Sequence, residues 1–261
     1  MAFQLDRVKA SQEARPLDLV IAEWKRNPIL DSHFLRAVTS KAVTSNDKGI
    51  SLIAEIKRAS PSRGVIAADL GVVEQARLYE QAGAQAISVL TEEKFFQGSL
   101  TDLTEAAANT KLPILRKDFI IDPYQVWEAA LSGAAAVLLI VRVLGNQLMG
   151  MVDTCREAGL EPLVEVHSTA ELEIALASGS NLIGVNCRDL DTLTVDPATH
   201  SRLRRLIPSG VSTVAESGIR TREDVQRLED LGYDAILVGE SLVDTPNPIA
   251  KAAELLGRVP N

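Results

Sequence analysis

The chain has 261 residues, enough for one large domain or two small ones, and its 46% apolar and 24% charged residues exclude a disordered chain. Lys and Arg total 27 against 35 Asp and Glu, a net charge of -8, so a general nucleic-acid surface is excluded and any anion site must be local. The longest apolar stretch, Ala129 to Val141, holds Ser132 and Gly133 and stops at Arg142, too short for a membrane span.

Asp6, Arg7 and Lys9 interrupt the start of the chain, so no signal peptide is expected, and Cys155 and Cys187 read as reduced thiols of a cytoplasmic protein. Residues 1–49 fall outside the repeat that follows. They are expected to form a helical extension of the same domain, with helices around Pro16 to Arg26 and Ser32 to Lys41 that cover the bottom of the fold or flank its mouth.

From Ile50 onward, short β-branched runs alternate with amphipathic stretches. The runs are Ser51 to Lys57, Ala86 to Leu90, Pro113 to Arg116, Ala136 to Ile140, Pro162 to Val166, Leu182 to Asn186, Val211 to Glu216 and Ala235 to Gly239. Helices are expected over Val72 to Gln81, Leu100 to Ala108, Pro123 to Leu131, Gly145 to Ala158, Thr169 to Ala177, Pro197 to Leu206, Thr221 to Asp230 and Pro248 to Gly257. Pro123, Pro197 and Pro248 suit first turns, and Gly83, Gly133, Gly159, Gly179 and Gly232 suit C-terminal caps. The run ends recur about every 26 residues, the length of a strand, a helix and two loops. The runs are apolar on both faces, so residues 50–261 are expected to close into an α/β fold, a (β/α)8 TIM barrel. The competitor, a doubly wound open sheet, lacks its Gly-x-Gly-x-x-Gly turn after the first strand.

Barrel active sites lie at the C-terminal strand ends. There the first run carries Glu55 and Lys57, which alternation turns to one side; Lys117 follows the third run, Glu165 lies near the end of the fifth, Asn186 closes the sixth and Glu216 the seventh. Two lysines and three carboxylates at a barrel mouth carry a desolvation cost that packing alone would not select, and their mutual pairing shifts pKa values as general acids and bases require. Gly-bearing turns follow the last two strands, at Ser217-Gly218 and Gly239-Glu240-Ser241, where loops of such barrels cradle phosphate with backbone N–H groups. A small phosphorylated substrate is implied.

The segments IAEIKRASPSRG, SVLTEEKFFQGS, LRKDFIIDPYQV, LVEVH, VNCRDL and AESGI, in order between about Ser51 and Leu242, resemble the successive signatures of indole-3-glycerol-phosphate synthase. The resemblance implies a (β/α)8 carboxy-lyase of tryptophan biosynthesis that closes and decarboxylates 1-(2-carboxyphenylamino)-1-deoxyribulose 5-phosphate, releasing carbon dioxide and water, with no cofactor and no metal. By resemblance, Lys117 is the general acid at the ketone oxygen and Glu165 the general base of dehydration. Lys57 contacts substrate anions and is a second candidate proton donor; Glu55 balances the two lysines. Asn186 and Glu216 hold sugar hydroxyls and catalytic groups, with Ser217 beside them. Ser60 and Arg188 hold the anthranilate carboxylate, and Phe96 and Phe119 pack on its ring. The backbone at Gly218, Gly239 and Glu240 takes the phosphate. Two departures stand out: residues 1–49 do not reproduce the family's opening, and Glu240 replaces the Ser of some relatives, so its carboxylate is expected to point away from the phosphate.

The remaining polar residues read as bland. His33, His167 and His200 lack metal-ligand spacing and are expected at the surface or in packing, Cys155 packs in a helix, Cys187 has no partnered histidine, and TREDVQRLED is a solvated helix face. Phosphoribosylanthranilate isomerase, the nearest enzymatic rival, is disfavoured by Lys57 at the end of the first run. A Schiff-base aldolase and a scaffold that merely binds a sugar phosphate also stay open.

Overall fold

The computed structural model describes residues 2–26, 28, 33–40 and 49–258. Its β-branched runs pair in parallel as Ser51–Ile56, Ala86–Leu90, Ile114–Lys117, Ala136–Ile140, Glu161–Val166, Leu182–Asn186, Ser212–Glu216 and Ala235–Val238. Each strand pairs with the next, and the eighth returns to the first in the register Ser51↔Ala235, closing the barrel. Closure satisfies every strand edge, which an open sheet of the same strands would leave unpaired. Strand ends differ from expectation by about one residue, as is usual for boundaries. One such shift matters: Lys117 belongs to the third strand, where it pairs with Leu90, and does not begin the loop.

Alternation sorts these strands into two faces. Leu52, Ala54 and Ile56 of the first strand join the core between barrel and helices, whereas Ile53 joins Leu115, Ala136, Leu138, Leu163, Leu182, Val214 and Leu237 inside the barrel. Burying each large aliphatic side chain contributes roughly 1.5–3 kcal/mol. Stepping by two from these floor residues reaches Glu55, Lys117, Glu165, Gly184, Glu216 and Gly239, so the polar groups occupy the layer above an apolar floor.

The outer helices Val72–Gln81, Pro123–Leu131 and Thr169–Ala177 have the expected bounds. Asp122 and Ser168 cap two of them through hydrogen bonds from the Tyr124 and Glu171 amides. The expected helix from Gly145 is instead a 3-10 turn, Gly145–Gln147, followed by Leu148–Glu157, because Gly145 takes φ 49° and breaks the path after the short helix Val141–Leu144. Unexpected elements are the helices Glu93–Phe96 and Glu240–Val243 and a hairpin of Ala59–Ser60 with Gly64–Val65.

The N-terminal residues form Ala2–Ala14, Leu17–Arg26 and Phe34–Thr39. The first of these helices has no counterpart among the expected elements, and Ser32 and Lys41, the expected bounds of the third, lie outside the described residues. The helix Phe34–Thr39 takes the expected place at the bottom. Phe34 and Val38 complete the apolar cluster inside the barrel and seal its bottom, beside the Ser51 hydroxyl that donates to Ser40 O. Trp24 packs edge-on against Trp127 on the flank, at 5.2 Å between rings, and Gln4 reaches toward the mouth to donate to Asp118 at 2.6 Å. Among the described residues no helix is long and apolar enough to cross a membrane.

Candidate active site

Two ion clusters occupy the polar layer. Lys57 Nζ lies 2.9 Å from Glu55 Oε1. Lys117 Nζ lies between two carboxylates, 3.6 Å from Glu165 Oε2 and 3.5 Å from Glu216 Oε2. Both of those side chains are only 1% exposed. Charges so deep persist only when paired. Burial works to discharge the Lys117 ammonium, but Glu216, Glu165 and Glu55 outweigh it and hold its pKa above the ordinary lysine value. The two carboxylates part company. Burial pushes both up, but Lys117 and His167 bring Glu165 below the usual carboxylate range, whereas burial and the adjacent Glu165 charge leave Glu216 raised. The two carboxyls are thus shifted in opposite directions, Glu165 toward the ionised form and Glu216 toward the protonated one. Neither Glu216 oxygen has a hydrogen-bond partner among the described residues, and Oε2 faces the Lys117 ammonium at 3.5 Å.

Gly184 makes this meeting possible. On the sixth strand it stands between Glu165 and Val214 in register, and a Cβ there would lie 2.2 Å from Glu216 Oε1. Gly184→Ala is accordingly expected to displace the Glu216 carboxylate and lower turnover by about tenfold or more while the barrel folds, since a misplacement of about 1 Å costs on the order of 10²-fold. Steady-state kinetics with circular dichroism checks this, and wild-type turnover would show that Glu216 has no fixed role. A glycine inside an apolar strand run is the sequence signal for such a close approach, and the strand-end rule does not reach it.

Every expected site residue lines one cavity of about 520 Å³ at this end of the barrel, a volume suited to a small organic ligand. Ser60 is carried by the hairpin after the first strand, and Phe96 by the short helix whose amides at Lys94, Phe95 and Phe96 donate to buried Glu92. Phe119 follows Asp118, which accepts from its amide, and Asn186 accepts from the Arg188 amide at 3.0 Å. The Arg188 guanidinium donates to Leu193 O at 3.1 Å and lines the cavity. Ser217 and Gly218 both take positive φ, 67° and 69°, folding the seventh loop back into the cavity, and the Ser241 hydroxyl ties the eighth loop to it by donating to Ile219 O. Gly239 allows a close approach of loop and ions, because a Cβ would lie 2.3 Å from Glu55 Oε1.

Several features are not expected from the sequence. The Glu240 carboxylate is held at the rim by Arg63 at 2.9 Å and Arg220 at 3.1 Å, and Arg63 also reaches Asp244. His167, expected to be bland, instead sits 3.3 Å from Glu165 and 3.0 Å from Glu171. The other bland expectations agree with the structure: His200 packs on Tyr233 and bonds to Glu216 O, and burial pushes the Cys187 thiol up to about 11, so it is unreactive at neutral pH.

A family model described as indole-3-glycerol phosphate synthase matches residues 4–255, which corrects the expectation that the opening residues depart from that family's pattern. Proteins named indole-3-glycerol phosphate synthase are similar along most of the chain. That of Dehalococcoides mccartyi is 50% identical over 248 residues, covering 94% of this chain and 95% of its own. That of Syntrophobacter fumaroxidans is 49% identical over 223 residues, covering 85% and 84%. Among solved structures, thiamine phosphate pyrophosphorylase from Pyrococcus furiosus matches with a TM-score of 0.58 at 16% identity, covering 78% of this chain and 92% of its own, a likeness of fold alone.

Proposed function

The chain belongs to the indole-3-glycerol phosphate synthase family, carboxy-lyases of tryptophan biosynthesis, and from that premise we propose how its residues divide the family's reaction. The single observation that carries the division is Lys117 placed in the cavity between the buried carboxylates of Glu165 and Glu216, which favour its charged form. A charged lysine suits a proton donor. As the anthranilate ring carbon attacks the ketone of 1-(2-carboxyphenylamino)-1-deoxyribulose 5-phosphate, Lys117 gives its proton to the developing alkoxide, and carbon dioxide then leaves from the same ring carbon. In the dehydration that follows, Glu165 accepts a proton while the hydroxyl departs as water, with Lys57 the second candidate donor. Glu55 balances Lys57, and Asn186, Glu216 and Ser217 hold the sugar. Ser60 and Arg188 face the ring carboxylate, with Phe96 and Phe119 on the ring. The same lysine disfavours a Schiff-base aldolase, whose nucleophile needs a lowered pKa, and borohydride with substrate should trap no adduct.

Incubation with the carboxyphenylamino-deoxyribulose phosphate, followed by the fluorescence of the indole product, tests this reading, and the absence of turnover would remove it. The phosphate belongs at the backbone of Gly218, Gly239 and Glu240. Two or more charge-assisted hydrogen bonds, each worth roughly 1.5–3 kcal/mol, predict that a dephosphorylated substrate analogue binds at least about 100-fold more weakly by calorimetry. Glu240→Ala should bind the phosphorylated form no worse than wild type, because it keeps the amide and frees Arg63 and Arg220. Equal binding of the two analogues would undo the phosphate assignment. We read residues 1–49 as an extension of the same domain as residues 50–261, on the Gln4–Asp118 contact, and place the protein in the cytoplasm on its two unpaired cysteines.

A further inference from the structure

His167 lies two residues beyond Glu165 on the same face of the chain, only 10% exposed, and it does not line the cavity. Both of its ring nitrogens face carboxylates: Nε2 is 3.3 Å from Glu165 Oε1 and Nδ1 is 3.0 Å from Glu171 Oε2. Nδ1 is in hydrogen-bond contact with Glu171, whereas Nε2 meets Glu165 at ion-pair distance without a hydrogen bond, so an imidazolium acts on Glu165 through its charge. Glu171 is itself fixed, since its amide donates to the capping hydroxyl of Ser168 and its Oε2 also accepts from the His167 amide at 2.8 Å. Across the cavity, Glu216 shares Lys117 with Glu165 but has no second ion-pair partner among the described residues.

We propose that His167 is a positioning residue whose imidazolium, clamped by Glu171, makes Glu165 the ionised member of the Glu165–Glu216 pair and so assigns the base role to Glu165. The inference rests on the reading of Glu165 as the base and explains why two neighbouring carboxylates are shifted in opposite directions. The charged groups that face the two carboxylates are Lys117 from the third strand, Glu55 from the first and His167 itself, and His167 in turn faces Glu171 from the helix after the fifth. Arg142, on the short helix packed against that strand and helix, is turned away to Asp189 and Asp191. Burial works against the imidazolium, but Glu165 and Glu171 outweigh it and raise its pKa to about 10, so the ring is charged throughout the working range. His200, where burial outweighs the pull of Asp196, is shifted the opposite way.

Two measurements test the proposal. In His167→Gln, which keeps a hydrogen-bonding side chain without the charge, the acid limb of the kcat/KM profile is expected to move up by about 1–3 pH units, with turnover largely regained above it. A uniform loss at every pH, with the limb unmoved, would mean that His167 only supports the structure and would overturn the assignment. Independently of activity, ring nitrogen NMR of the folded wild type should show His167 protonated through pH 8, and the milder variant Glu171→Gln should lower its titration point. An ordinary titration near about 6.5 in wild type would overturn the proposal. Glu165→Gln separates the two readings: retained turnover there would remove Glu165 as the base, whereas an inactive Glu165→Gln with an unshifted His167→Gln profile would remove only the role of His167.

Discussion

Lys117→Met is expected to abolish ring closure, lowering turnover by about 10²–10⁴, the usual contribution of a general acid, while substrate affinity changes by less than about tenfold. The asymmetry follows from where the charge is needed. In the resting site the ammonium already has two carboxylate partners, Glu165 and Glu216, so its gain on binding a neutral ketone is small, and only the developing alkoxide of the transition state calls on its proton. Methionine keeps the unbranched shape of the side chain, one atom shorter, and supplies neither charge nor proton. The fold should survive, because burial already favours the protonated form of Glu216 and Glu165 retains His167 beside it. Loss of Lys117 should nevertheless raise the Glu165 pKa, so residual activity is expected to fall further at acid pH than that of wild type. Single-turnover kinetics and calorimetry with the same substrate check both halves, and turnover within about tenfold of wild type would remove the proton-donor role.

The difference between what is legible in the sequence and what is not follows range along the chain. Strands and outer helices are written in local periodicity, and the spacing of Glu55 and Lys57, two residues apart, places both on the inner face without any structure. The strand-end rule then locates Lys117, Glu165, Asn186 and Glu216 because each stands at the end of its own run. Contacts between runs leave no such mark. Arg63 and Glu240 are joined across 177 positions, and nothing in either segment announces the other. His167 is within reach of the same alternation that finds Glu165, but it stands one residue past the apolar run and reads as a lone histidine. The Ala2–Ala14 helix escapes for a third reason: its apolar residues make no stripe, and it is held by polar contacts such as Gln4 to Asp118.

Glu165→Gln keeps the shape of the side chain and removes its capacity to accept a proton, so dehydration should become the limiting step, slowed by about 10²–10⁴. Ring closure and decarboxylation, driven from Lys117, should continue, and a hydroxylated intermediate is expected to accumulate in rapid-quench experiments with stoichiometric enzyme. The same substitution has a signature in stability. A carboxylate whose folded pKa lies below its unfolded value contributes stability that is present above the unfolded pKa, about 4.3 for Glu, and is lost as pH falls through the folded value. Glu165 is such a group, held down by Lys117 and His167 against the cost of its burial. Wild type should therefore exceed Glu165→Gln in denaturant stability at neutral pH, with the gap closing on acidification below about pH 4. The His167 imidazolium and the Lys117 ammonium remain charged over that whole window, so the narrowing belongs to the carboxylate. A gap that stays constant to low pH would show that Glu165 is not stabilised as an anion, and substrate binding lost together with turnover would give it a structural place in the site instead of the base's.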